Sequence, residues 1–352
     1  MLKKSLTARD FILEDCARMP NLLKKVWNLT SIEDYWQWKF LKPTFETKGM
    51  VIEDRNGNIV AFSGFWLRPT KFGEKTIFPG TLVDVMADQK YRGGRAFPIL
   101  IRRIDSEICR KRIFFGFPNP VALKLFFRYF KKYINVATNI SVFVSVVNAG
   151  AYVRSNKAIK AFLGGISRTV HKLRLSFHCN KDILVQEVHD VGDEFDQLWD
   201  DISGEYFWIQ NRGKDFIKWR YVLEPTIKYQ IWKATEGGGI VGYLVTTIRS
   251  GAGRTKGFLI DWLVSRKRED VFLEMVNTAF SWLVNQKVDL VETWLMDHEK
   301  QWARVLRSYF FIKSKCTRSL ILGGGPDYLD SNPHKIENFF FTIGDSDFFG
   351  AV

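Results

Sequence analysis

Cysteine is scarce in this 352-residue chain, and the four present (Cys16, Cys109, Cys179, Cys316) lie far apart with no paired spacing. That speaks against a zinc cluster or a disulfide framework and fits a reducing compartment, with the thiols buried as small apolar groups. The five histidines show no metal spacing, so no metal is expected, and His298 in MDHEKQW reads as solvated. Long hydrophobic runs are missing too: no stretch reaches the roughly 18 uncharged apolar residues of a membrane span, and MLKKSLTARDFILEDC has two lysines with no apolar run behind them. Neither a span nor a signal peptide is expected, which points to the cytoplasm. Two nucleotide-binding signatures are also absent. No Gly-Lys-Ser/Thr follows a glycine turn, and Gly-x-Gly-x-x-Gly is not satisfied.

What is present is apolar mass, basic charge and repetition. With 46% hydrophobic and 15% aromatic residues, a chain of this length can bury two cores of ordinary size. The net charge of +14 is unevenly spread: residues 1–180 carry 31 Lys and Arg against 13 Asp and Glu, whereas 181–352 carry 21 against 25. A basic half attracts nucleic acid, an anionic membrane or a phosphate-rich small molecule, and charge alone does not choose among them.

The repeat is more specific. DYWQWKFLKPTF (34–45) recurs as DFIKWRYVLEPTI (215–227), and NGNIVAFSG (56–64) answers GGGIVGYLV (237–245) at the same shift of 181. LVDVMAD (82–88) answers LIDWLVS (259–265) at a shift of 177, and RYF (128–130) answers SYF (308–310) at 180. Four correspondences in one order imply two copies of one unit, 1–165 and 181–352, joined near 165–181. Each copy reads as helices ending in the Trp-base-aromatic segment, then a hairpin turning at Asn56-Gly57 or Gly237–Gly239, then strand, helix, strand and helix. Strand-helix-strand succession implies parallel pairing beside antiparallel hairpins, hence a mixed α/β sheet. Trp36, Trp38 and Trp219 read as core aromatics.

In the first copy, DQKYRGGRAFPIL (88–100) sets two glycines and three basic residues where an apolar strand meets a helix. A strand end, a glycine turn and a helix N-terminus offer backbone N–H groups and partial positive charge to an anion. Gly93 and Gly94 permit close approach, and Arg92 and Arg95 add charge-assisted donors. A phosphate-bearing cofactor is expected there, with an ordinary tight turn as the alternative.

VDVMADQKYRGGRAFPIL resembles the acyl-coenzyme A binding motif of the GNAT (Gcn5-related N-acetyltransferase) superfamily, and FPNPVALKLFFRYF is similar to that superfamily's next segment. The resemblance spans the chain as two tandem GNAT-like domains, each a mixed, partly parallel sheet flanked by helices, and is clearest over 56–130. It implies acetyl-CoA or another acyl-CoA as co-substrate, held by Val85, Met86, Arg92, Gly93, Gly94, Arg95, Ala96, Phe97 and Asn119. Asn119 also suits a helix N-cap. The loop departs from the family pattern, with Arg95 at a glycine position in one alignment. The second copy has VSRKREDVFLEM there, with no glycine and with Glu269 and Asp270 at the helix start, so that domain is expected to shape the acceptor site and not to bind coenzyme A.

The resemblance further implies direct attack of an amine on the thioester. Asp84, in the apolar strand, is the candidate general base, or else a buried acid paired with an arginine, since Asp261 holds the equivalent place in the second copy. The family's thiolate-protonating tyrosine falls near Phe126, which has no hydroxyl; Tyr129, one turn on, is the substitute candidate. GDSD (344–347) either lines the cleft between the halves or forms a polar turn. The leading function is an acyl-CoA-dependent N-acyltransferase acting on a small-molecule amine, with an amino sugar of surface polysaccharide biosynthesis as the acceptor by resemblance. A tandem-GNAT transferase using aminoacyl-transfer RNA for cell-wall peptides, and a non-catalytic binding protein, are the alternatives. No long charged helical arm favours the transfer-RNA reading.

Overall fold

The computed structural model describes residues 6–28, 30–92, 96–154, 156–175, 182–251, 253–324 and 338–347. The first half runs β1 (Thr7–Asp10), α1 (Met19–Trp27), α2 (Glu33–Phe40), β2 (Glu46–Glu53), β3 (Ile59–Leu67), β4 (Thr70–Phe72), β5 (Lys75–Ile77), β6 (Gly80–Ala87), α3 (Gln89–Arg92), α4 (Ala96–Ile104), β7 (Phe114–Gly116), α5 (Pro120–Phe130) and β8 (Ile134–Val146). Helix α6 (Lys157–Leu175) leads to the second half: β9 (Leu184–Val188), α7 (Glu194–Ser203), β10 (Trp208–Gln210), α8 (Lys214–Ile217), β11 (Tyr229–Glu236), β12 (Gly239–Gly251), β13 (Arg254–Val264), α9 (Glu269–Asn285), β14 (Leu290–Leu295), α10 (Lys300–Ser308) and β15 (Ile312–Gly323). The order of elements repeats as the sequence motifs do. Both hairpin turns fall on glycines in the left-handed region, Gly57 at φ +74° and Gly237 and Gly238 at +56° and +84°, which a side chain would strain.

Among the described residues, twelve strands form one sheet in the order β1-β2-β3-β6-β7-β15-β8-β14-β13-β12-β11-β9. Read from either edge, the sequence of equivalent strands is the same, so the sheet has an internal pseudo-twofold. Each half has one short parallel pair. Strands β6 and β7 pair only through Gly80–Phe114 and Thr81–Phe115, and β13 and β14 only over Lys256–Phe258 and Leu290–Glu292. Beyond these contacts the strands splay. The last strands are exchanged: β15 pairs with β7 of the first half, β8 pairs with β14 of the second, and β8 and β15 pair antiparallel with each other at the centre. A small second sheet adds another link, since β10 of the second half pairs with the β4–β5 hairpin of the first.

The pseudo-axis passes through a reciprocal contact of the repeated motif. Trp38 and Trp219, 181 residues apart, stack with ring centroids 5.0 Å apart. Trp38 Nε1 donates to the Trp219 carbonyl at 2.7 Å, and Trp219 Nε1 donates to the Trp38 carbonyl at 3.0 Å. Both rings are buried, as is Trp36, so the motif's tryptophans are core. The segment 338–347 binds the halves together beside them. Asp345 accepts from Arg68 of the first half at 2.6 Å and from Arg212 of the second at 2.5 Å, all three side chains being buried. One apolar core runs through both halves, and a smaller one lies between β3, β6 and the helices α4 and α5.

Two sequence expectations need correction. Cys16 and Cys109 are buried, but Cys316 is exposed on β15, in the run between Lys313 and Thr317 where the register with β8 shifts; Cys179 lies outside the described residues. His298 is not solvated: its side chain is mostly buried and Nε2 lies 2.9 Å from the Phe339 carbonyl, because the C-terminal segment covers it.

Two outcomes are expected from these contacts. Trp38→Phe and Trp219→Phe should each leave a buried carbonyl without its donor and lower the unfolding free energy by about 1–3 kcal/mol in denaturant titration. Asp345→Asn should cost more, about 3–5 kcal/mol, because the buried Arg68 guanidinium loses the carboxylate it pairs with and Arg212 keeps only Asp261 of its two.

Candidate active site

The splay between β6 and β7 opens a cleft roofed by α5. Its outer part is an apolar cavity of about 370 Å³, whose walls include Val85, Met86 and Ala87 of β6, Phe97 of α4 and Phe126 of α5. Its inner part, about 210 Å³, ends on Asp84 and Asp347. The two share Trp27, Val85, Asn119, Ala122 and Phe126 in their walls and so form one passage. Each wall has a local cause. Helix α1 ends at Asn28, which takes the left-handed conformation at φ +55° and accepts no further turn, leaving Trp27 in the wall that both parts share. Helix α5 begins at Pro120 with Asn119 as N-cap, its Oδ1 accepting from Val121 N at 3.0 Å and Ala122 N at 2.9 Å. Helix α4 begins at Ala96, which leaves Pro98 in the first turn where its missing N–H costs nothing.

At the inner end, β6 bulges. Phe62 faces Met86 and Gly64 faces Val83, so Asp84 and Val85 together oppose the single Ser63. Asp84 sits at φ +50°, a left-handed conformation that an aspartate tolerates better than a branched residue. The bulge turns the Asp84 N–H off the ladder, and it donates to Asp347 Oδ2 at 3.0 Å. The Asp84 carboxylate meets Lys39 Nζ at 2.5 Å, and Lys39 lies 3.8 Å from Asp347. Lys39 also donates to the Tyr35 hydroxyl at 3.1 Å.

The electrostatics follow from burial. Desolvation pushes the Asp84 carboxyl up to about 6; Lys39 pulls it down and the charge of Asp347 pushes it further up. Desolvation works against the Lys39 ammonium, but Asp84, Tyr35 and Asp347 outweigh it and hold the group above its ordinary value. The cluster therefore has one cation and two carboxylates facing a cavity, an arrangement able to receive a second cationic nitrogen and take up its proton.

The residues expected from the sequence separate into groups. Asp84, Val85, Met86, Phe97 and Asn119 all line the passage. Ala96 is fully buried beneath it, in the smaller core. Arg92 ends α3, and Gly93, Gly94 and Arg95 lie outside the described residues. Tyr129 is exposed on α5 and lines neither cavity; its ring lies 6.0 Å from that of Phe97. The partner of Asp84 is a lysine, where an arginine was the expected alternative. Lys39, Asp347 and Trp27 were not singled out as site residues. Lys39 carried a signal, being the base in the repeated Trp-base-aromatic motif; Asp347 closes the GDSD segment; Trp27 carried none.

The second half has the same scaffold with the cleft filled. Asp261, at the place of Asp84, is wholly buried and satisfied by Arg212 at 3.0 Å, Tyr221 at 2.9 Å, Tyr243 at 3.1 Å and Thr342 at 2.8 Å. The repeat puts Trp262 at the place of Val85 and Trp302 at that of Ala122. Both are buried, and Phe272 packs between them, its centroid 5.3 Å from Trp262 and 4.6 Å from Trp302. At the start of α9, Asp270 is held by Arg268 and Glu269 by Arg304.

No family model matches the chain, and no curated protein matches its sequence. Solved structures do. N-myristoyltransferase of Saccharomyces cerevisiae with bound myristoyl-CoA is similar with a TM-score of 0.60 at 10% identity, over 92% of this chain and 80% of that one. A GCN5-related N-acetyltransferase from Anabaena variabilis gives 0.60 at 12% identity, over 90% and 72%. A tandem GNAT protein from the clavulanic acid biosynthesis pathway gives 0.58 at 9% identity, over 91% of this chain and 98% of that one. With the duplicated strand order and the two splayed parallel pairs, these likenesses establish that the chain has the tandem GNAT fold.

Proposed function

We propose that the chain is an acyl-CoA-dependent N-acyltransferase whose single coenzyme site is the passage of the first half. The observation that carries this reading is the contrast between the halves: one cleft is open from Phe97 of α4 to a carboxylate pair, and the equivalent place in its twin is taken by Trp262, Phe272 and Trp302. The passage fits the co-substrate. Its apolar outer part suits a pantetheine arm, and Phe97, in the first turn of α4, lines it, so an anion at that helix N-terminus would be favoured beside it. Arg92, Gly93, Gly94 and Arg95 are our choice for the pyrophosphate, with acetyl-CoA as the donor for an inner cavity of about 210 Å³.

Bound acyl-CoA supplies an activated carbonyl, which the acceptor amine attacks as the carbon–sulfur bond breaks and the thiolate leaves. The chain's part is position and proton transfer. Asp84, with a carboxyl near 6, is mostly ionised at neutral pH and takes the proton released by the amine nitrogen; Lys39 fixes its orientation. Asp347 adds negative charge that draws a protonated amine into the inner cavity. We take the acceptor to be a small-molecule amine, with an amino sugar of surface polysaccharide biosynthesis as the specific class. Tyr129 is retained as the group that returns a proton to the thiolate only if α5 turns it toward the passage. Among the described residues no helix is long and apolar enough to cross a membrane, and we place the reaction in the cytoplasm.

Three results are expected. Asp84→Asn should lower kcat about a hundredfold or more with coenzyme affinity nearly kept, and wild-type kcat should fall as pH drops through about 6, since protonated Asp84 accepts no proton. Unchanged turnover in folded Asp84→Asn protein would remove it from the mechanism. Ala122→Trp should reproduce the filled twin, abolishing acetyl-CoA binding in calorimetric titration while the protein stays folded. Arg92→Ala with Arg95→Ala should weaken binding by about 1.5–3 kcal/mol per charge-assisted hydrogen bond lost; unaltered affinity would displace the turn from the site.

A further inference from the structure

Helix α6, the connection between the halves, has an inner face locked to the protein. Gly164 is buried against Asn148, where a Cβ would collide with its side chain. Ser167 Oγ donates to the Val147 carbonyl and accepts from Ala149 N, at 2.9 and 3.0 Å, and His171 Nε2 lies 3.0 Å from the Val146 carbonyl. Residues 164, 167 and 171 share one side of a 3.6-residue helix. On the opposite side lie Ile159, Phe162, Ile166, Val170 and Leu173, every one of them exposed, Phe162 at 66% and Leu173 at 57%. The polar contacts of the inner face fix the rotation of the helix, so this apolar stripe has no route inward. Nineteen residues with five large apolar side chains on the solvent face are not what a soluble surface needs.

Charge identifies the occupant. From Ile108 to Lys181 the chain contains fourteen Lys and Arg and not one Asp or Glu. On α6 itself Lys157, Lys160 and Lys172 are exposed beside the stripe. A helix with an apolar face, cationic flanks and a low overall hydrophobicity is the form that lies in the plane of a bilayer, with the apolar side chains among the acyl chains and the ammonium groups at the lipid phosphates. A second copy would set these cations against their own kind, with no acid on the helix to pair them. We propose that α6 docks the protein on an anionic membrane surface, its Ile159–Leu173 stripe entering the headgroup boundary and its lysines pairing with acidic lipids. This docking is independent of the chemistry proposed for the first half.

The test uses the full chain and sedimentation with vesicles of phosphatidylcholine alone or with about a third phosphatidylglycerol. Wild-type protein should partition onto the anionic vesicles at least tenfold more strongly than onto the neutral ones, and added salt should weaken this. Phe162→Ser with Ile166→Ser should reduce partition at least tenfold with no change in thermal midpoint, since both side chains face solvent. Lys157→Gln with Lys160→Gln and Lys172→Gln should reduce it about tenfold or more on anionic vesicles and leave the residual binding to neutral ones unchanged. Failure of the wild type to partition, or equal partition by either variant, overturns the proposal. A concentration-dependent dimer in vesicle-free sedimentation velocity, abolished by the two serine substitutions, overturns it in favour of a second copy on this face.

Discussion

The reciprocal pair of Trp38 and Trp219 is the constraint on which the rest of the molecule rests. A stack whose two indole N–H groups each reach the other residue's carbonyl works only if the two copies of the Trp-base-aromatic segment, at the end of α2 and just after α8, meet across a twofold. Each donor is buried, and each would cost about 1–3 kcal/mol if left unpaired, so both copies must keep the tryptophan and the approach of the helices together. This sets the distance and angle at which the two halves face one another. It also puts Lys39 and Arg220, the next residues of the motif, on either side of the axis, each aimed at the interior. Lys39 finds Asp84, whereas Arg220 donates to the Ser346 carbonyl.

Once the halves are fixed, the strand exchange follows from economy of pairing. Strand β7 has only three residues and β14 six, and each has on its outer side a parallel neighbour that soon splays away. Each needs a long antiparallel strand on the inner side. Strands β8 and β15 fill both places and pair with each other, so no unpaired edge is left at the centre of the sheet. The splay is then held open from both sides. The gap between β6 and β7 is where the two cavities lined by Val85, Asn119 and Phe126 lie.

The repeat and the α/β alternation were legible in the sequence because aromatic anchors and glycine turns are local signals. The splayed parallel pairs were legible too, as strand-helix-strand succession. The exchange of β8 and β15 was not, since nothing in a strand's own residues says which of two equivalent neighbours it will join. Along the passage, Asp84, Val85, Met86 and Phe97 could be read from one contiguous motif, and Asn119 from the segment that follows it. Lys39 and Asp347 could not be assigned to it, because they come from 45 residues before Asp84 and 263 residues after it. The solvated reading of His298 failed for the same reason: the segment that covers it arrives from elsewhere in the chain. What is missed in each case is a long-range contact, and what is found is local pattern.

The asymmetry of the two clefts has a geometric cause. A twofold creates two equivalent places for a site, but the segment 338–347 exists in one copy and cannot serve both alike. It passes close to the axis, spends Thr342 and Asp345 on Asp261 and Arg212 of the second half, and delivers Asp347 to the first. On the second side, the acid is thereby saturated with donors and fully buried, and an open cleft beside it would be empty apolar space. Filling that space with Trp262 and Trp302 recovers the packing that a void forgoes. On the first side, the same segment adds a second carboxylate where, among the described residues, Lys39 alone pairs with both, and the two carboxylates line the open passage. One half can therefore become pure structure, and the other can hold a destabilising, half-satisfied group of charges, because the stability of both is drawn from the same continuous core.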